Sequence, residues 1–127
     1  MRYLLDTHTL IWLLEESPNL SIRAKGALVD SKNSIYVCTV SLWEIAIKVN
    51  LGKLKLRFTF GELLDKVKNS AIELLQIEDE YLNRLSAVPS IHKDPFDRLM
   101  IATALVENLT IITTDSNIQR YDVPWIW

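Results

Sequence analysis

The sequence has one cysteine, three glycines and no surplus of positive charge. Each shortage excludes something. The lone thiol, Cys38, cannot close an internal disulfide, and it stands in an apolar run where a small core residue fits. So few glycines, beside 49% hydrophobic residues, describe a packed globule rather than a disordered tail. A formal net charge of −2 argues against a module that grips nucleic acid by bulk positive charge. No uncharged apolar run approaches the ~20 residues of a membrane span. Asp6 and His8 interrupt the N-terminal apolar stretch, and no small-residue cleavage site follows, so a secretory signal is not expected.

Other absences concern chemistry. Neither G-x-x-x-x-G-K-[ST] nor G-x-G-x-x-G occurs, so nucleotide cofactors are not indicated. His8 and His92 belong to no zinc-ligand spacing and read as polar surface or loop residues. No G-x-S-x-G elbow supports a serine nucleophile. Repeats and low-complexity segments are missing too. One domain over residues 1–127, in the cytoplasm and off the membrane, is the expectation. At this length roughly two thirds of the unfolded surface can be buried.

What is present alternates. Residues 2–6 read as a short buried strand and 8–16 as a helix. Residues 21–31 form a second helix with Ser21 as its N-cap. Residues 34–39 are β-branched and aromatic, hence a strand; 41–51 are helical and stop at Gly52. Thr59-x-x-Glu62 has capping-box spacing before a helix over 60–70. Strand 71–77, helix 78–88, long helix 95–108, strand 109–114, a short helix at 116–120 and a strand at 123–126 complete the pattern. Strands alternating with helices predict βαβ units. The fold class is therefore α/β, with a mostly parallel sheet of about five strands covered on both faces.

Four acids fall at one kind of place. Asp6 ends the first strand and Asp115 follows the strand 109–114. Glu44 and Asp97 stand in the first turns of the helices they belong to. In a parallel sheet, C-terminal strand ends and the following helix N-termini share the ligand-binding edge. Each acid also has a plainer reading. Asp6 and Asp115 suit N-caps, Ser41-x-x-Glu44 suits a capping box, and Asp97 sits third after an Asp94 cap and Pro95. Their surroundings favour more. Asp97 opens an almost wholly apolar helix and shares its face with Ile101, Ala104 and Leu105, while Glu44 lies between Trp43 and Ile45. Buried carboxylates are costly unless paired or ligating a metal, and Lys48 and Arg98 are too few to neutralise four. Oxygen ligands suit Mg²⁺ or Mn²⁺. Lys48, Lys53, Lys55 and Arg57 form an acid-free basic run, either a solvated surface or a strip of phosphate contacts.

The pieces LLDTHTLIWLL (4–14), SLWEIAIKVNLGKL (41–54), HKDPFDRLMIATAL (92–105) and IITTDSNIQRY (111–121) resemble the PIN-domain nucleases, and more narrowly the VapC-like toxins of prokaryotic toxin–antitoxin modules. The resemblance covers nearly the whole chain, in order and spacing. It implies a three-layer α/β/α sandwich and a Mg²⁺-dependent endoribonuclease, with Mn²⁺ able to substitute, that leaves 3′-hydroxyl and 5′-phosphate ends. It places the metal-binding and catalytic acids at Asp6, Glu44, Asp97 and Asp115, with a supporting hydroxyl at Thr113. It implies a small antitoxin partner, an RNA substrate and a homodimer. One departure stands out: many relatives carry a further acid just after the fourth, where this chain has Ser116 and Asn117, which weakens the case for a second metal.

Two rivals remain at this level. A PIN-like binding module without catalysis would keep the fold and lose the chemistry. A receiver-type signalling domain also holds Mg²⁺ in an acidic pocket, but it needs adjacent acids after the first strand, where this chain has Thr7 and His8.

Overall fold

The computed structural model describes all 127 residues. Strand β1 (Arg2–Leu5) leads into α1 (Thr7–Leu14) and α2 (Ile22–Val29); β2 (Ser34–Cys38) leads into α3 (Thr39–Asn50) and α4 (Phe60–Lys68). Then β3 (Glu73–Leu75) precedes α5 (Asp79–Leu85) and α6 (Pro95–Glu107), β4 (Thr110–Ile112) precedes α7 (Ser116–Gln119), and β5 (Trp125–Ile126) closes the sheet. The five strands lie in the order β3-β2-β1-β4-β5. Every neighbouring pair is parallel, so the sheet is wholly rather than mostly parallel.

Strand alternation splits the core in two. Leu4, Cys38 and Ile111 face one side, where they pack with Tyr81 of α5 and Leu99 to Ala102 of α6. Tyr3, Leu5, Val37 and Ile112 face the other, against Leu10 and Ile11 of α1, Ala24 of α2, Ile45 of α3 and Leu63 of α4. The result is three layers, helices on each face of one sheet. Each fully buried Leu or Ile contributes roughly 1.5–3 kcal/mol of apolar burial. Cys38 belongs to this core, and burial pushes its thiol up to about 12.

Local signals account for most helix starts. Ser21 Oγ accepts from the Ala24 N–H, and Thr59 Oγ1 from the Glu62 N–H. Asp94 Oδ1 accepts from the Asp97 N–H, with Pro95 first in α6. The third helix departs from expectation. It starts at Thr39 rather than Ser41, with no side-chain cap, so Ser41 and Glu44 form no capping box. Glu44 therefore lies in the second turn, not the first. The strand runs into the helix with no intervening loop, and packing of Val40 and Leu42 on opposite cores holds that junction instead of a cap. At the other end Gly52 takes φ +70°, and the Lys53 N–H reaches back to the Lys48 carbonyl at 2.9 Å. That left-handed turn is where glycine is favoured.

The chain steps leftward from β1 to β2 and β3, then crosses back to β4 on the other side of β1. The C-terminal ends of β1 and β4 flank this reversal, the position where open parallel sheets form a crevice.

Candidate active site

Asp6 leaves β1 at this crevice and is the N-cap of α1. Its Oδ1 accepts from the Thr9 N–H at 2.8 Å, and its Oδ2 accepts from the Thr113 hydroxyl, which follows β4. Thr113 Oγ1 also accepts from the Asp115 N–H at 3.0 Å. One hydroxyl thus ties the end of β1 to the loop after β4. Asp115 in turn caps α7, its Oδ1 accepting from the Asn117 N–H at 2.8 Å. On the other flank, the Thr7 hydroxyl donates to Glu44 Oε1 at 2.6 Å, and Lys48 closes an ion pair with Glu44 Oε2. Asp97 enters from the first turn of α6, with His92 Nε2 standing 3.0 Å from its Oδ2.

Burial gives these acids unusual properties. Asp6 is 5% and Glu44 4% exposed. Burial raises the pKa of Asp6 above the ordinary aspartate value, although hydrogen bonds from Thr113 and Thr9 oppose it. Asp97 is pushed up to about 6, first by burial and further by the charges of Asp94, Asp115 and Glu44, against the His92 contact. Those three charges acting on Asp97 mean that the acids of separate segments share one field. Burial alone lowers the Lys48 pKa, yet contact with Glu44 and the nearby Asp94 and Asp97 hold its ammonium above the ordinary lysine value.

A model of the PIN domain matches residues 3–124. The chain belongs to the PIN-domain family. Among solved structures, it is similar to VapBC2 of Rickettsia felis bound to a promoter DNA fragment: TM-score 0.74, 19% identity, covering 99% of this chain and 98% of that one. A DNA-bound VapBC of Salmonella typhimurium gives 0.71 and 14%, covering 99% and 97%. FitAcB of Neisseria gonorrhoeae gives 0.68 and 17%, covering 98% and 96%. No curated protein sequence matches. PIN membership removes the receiver-type reading.

In this PIN domain the acids predicted from sequence occupy the carboxyl edge of the sheet, with Thr113 and Lys48 among them. Lys53, Lys55 and Arg57 are exposed on the stretch between α3 and α4. The Arg57 N–H donates to Glu15 at the far end of α1, nine residues from Asp6 and so about 13 Å along the helix axis. Two contributors escaped the sequence reading. Thr7 binds Glu44 across 37 residues, and His92, which does lie on a loop, turns a side chain only 13% exposed onto Asp97. No periodic or spacing signal marks either one.

The donor set consists of three aspartates and one glutamate, which fits a hard divalent cation and not zinc. It does not form a closed cage, since no three Asp, Glu, His or Cys side chains are grouped to hold an ion. Instead Asp6, Glu44 and Asp97 are tied to Thr113, Lys48 and His92 respectively. Ligation of a cation would exchange some of these ties for metal bonds. No helix of the chain is long and apolar enough to cross a membrane.

Proposed function

We propose that this PIN domain is a Mg²⁺-dependent endoribonuclease, with Mn²⁺ able to substitute, and the toxin of a toxin–antitoxin pair. Its partners on this reading are RNA, a small antitoxin and a second copy of itself, in the cytoplasm. The observation that carries the reading is that carboxylates from four separate segments lie along the carboxyl edge of the sheet, Asp6 and Glu44 buried and Asp97 and Asp115 partly so, with the pKa raised at Asp6 and Asp97 and the charges of Glu44 and Asp115 felt at Asp97. Acids so placed cost stability unless a cation neutralises them. Likeness in fold to the VapBC complexes supports the toxin assignment.

Asp6 and Asp97 would be the central ligands, with Glu44 and Asp115 flanking them. A bound divalent ion supplies Lewis-acid activation of water and neutralises charge on the phosphate. The chain's own groups set the stage. Thr113 fixes the Asp6 carboxylate and orders the Asp115 backbone through a single hydroxyl. Lys48, anchored to Glu44, puts a permanent cation at the crevice where a phosphate oxygen would approach. Lys53, Lys55 and Arg57 are candidates for contacts with flanking nucleotides rather than with the phosphate that Lys48 meets.

Purified protein incubated with RNA, with and without Mn²⁺, tests this directly. Metal-dependent cleavage that disappears in Asp97→Asn is expected. Cleavage that persists in the mutant points to a contaminating nuclease and defeats the assignment. The second reading, a silent binding module, draws on the ties to Lys48 and His92 that occupy Glu44 and Asp97; absence of cleavage with intact partner binding would favour it.

A further inference from the structure

His92 lies just before α6 and is not among the four acids. Its Nε2 is 3.0 Å from Asp97 Oδ2 and its Nδ1 is 2.7 Å from the Tyr121 hydroxyl. The two rings meet edge to face, with centroids 5.4 Å apart. Tyr121 is buried in the α6 core, so its hydroxyl is a fixed point. Two N–H groups already donate to that oxygen, the His92 backbone at 3.2 Å and Arg98 Nη1 at 3.4 Å. With its lone pairs engaged, the hydroxyl has its proton left to give, and the acceptor in reach is Nδ1. A neutral imidazole that accepts at Nδ1 carries its proton on Nε2 and donates it to Asp97. Arg98 also donates to the carbonyls of Pro89 at 2.7 Å and Val88 at 3.1 Å, pinning the segment that delivers His92.

We propose that His92, seated by Tyr121 and Arg98, is the positioning residue of Asp97: it holds one carboxylate oxygen so that the other is presented to the metal. This rests on the reading of Asp97 as a metal ligand. The structure is consistent in detail, since Oδ2 takes the His92 contact and no protein group is hydrogen-bonded to Oδ1. The arrangement is the carboxylate counterpart of the outer groups that orient metal-bound histidines. His92 itself touches neither substrate nor metal on this view.

The test is Mn²⁺ affinity, measured by titration calorimetry on the full chain, alongside metal-free melting temperature and RNA cleavage. His92→Ala is expected to weaken Mn²⁺ binding roughly 10–100-fold, the usual effect of removing an orienting partner, and to lower kcat more than it raises KM. His92→Gln, whose amide N–H can donate to Asp97, should restore part of the affinity. Tyr121→Phe keeps the buried ring and removes only the hydroxyl; it should weaken Mn²⁺ binding less than His92→Ala, and it serves if His92→Ala does not fold. If wild type binds Mn²⁺ and His92→Ala and Tyr121→Phe bind it equally well, this proposal falls alone. Gln no better than Ala also overturns it. If wild type binds no Mn²⁺, or Asp97→Asn binds as tightly as wild type, the metal-site reading fails and takes this proposal with it.

Discussion

The two ends of the sheet differ in how they hold charge. At the carboxyl edge, Asp6, Glu44, Asp97 and Asp115 sit on strand ends and helix turns, and each carboxylate is hydrogen-bonded to a named group. Around the far end of α1 and α3, Lys53, Lys55 and Arg57 are exposed on a loop with no side-chain partners, joined to the fold through backbone contacts such as Arg57 to Glu15. Acids gathered at a cost in desolvation need a compensating function, whereas exposed cations cost nothing to leave in water. The contrast separates acids held by named partners from cations left in water.

The strongest way to break that comparison is Asp97→Asn. RNA cleavage should fall on the order of 10²–10³-fold, the scale of losing one preorganised charged group, while far-UV dichroism stays unchanged. Equal activity would mean that the acidic edge is merely structural. Next comes metal addition. At a hundredfold excess over Kd, Mn²⁺ should stabilise the fold by about 2.7 kcal/mol, seen as a rise of several degrees in Tm, and Asp6→Asn should blunt the rise.

Acidity offers a subtler check. Asp97 holds its proton more tightly folded, at about 6, than its ordinary 3.8. The folded state therefore binds more protons across that window, so metal-free stability declines as pH rises from about 4 to 6 and stays low above it. Allowing for partial exposure and shared charge, the loss should be about 1–2 kcal/mol. Urea melts at pH 4 and pH 7 measure it. Asp97→Asn should flatten the difference, and a steeper decline in the mutant would contradict the assignment.

Asp94→Ala should cost about 1 kcal/mol of stability, the worth of an N-cap, and change kcat little. A large activity loss with normal stability would mean that Asp94 and Asp97 had been given each other's roles. The smallest effect belongs to the basic end. Replacing Lys53, Lys55 and Arg57 with alanine should raise KM a few-fold and shallow the salt dependence by at most about 2 in log–log slope, at ~0.7 for each single-strand phosphate contact. A collapse of kcat would join the two ends into one site.

Two of the four acids serve as helix caps. Asp6 and Asp115 do cap α1 and α7. Asp115 uses Oδ1 for its cap, leaving its second oxygen for other work, and Asp6 offers its second oxygen to Thr113. Glu44 is the reverse case, since its inferred capping box vanished once α3 began at Thr39. A box is a weak local preference, and continuous packing from β2 into α3 overrode it.

What the sequence determined by itself was local or periodic. Alternating strands and helices specified a parallel sheet, Asp94 and Pro95 specified where α6 begins, and Gly52 specified where α3 ends. Such signals act within a turn or two and survive without knowledge of the rest of the chain. Only the tertiary structure decided who holds each acid. Thr113 meets Asp6 across 107 residues, Thr7 meets Glu44 across 37, and Tyr121 meets His92 across 29. Hydrogen bonds of this kind need a donor and an acceptor within about 3 Å and in line, and it is strand order and helix packing that bring such distant residues so close.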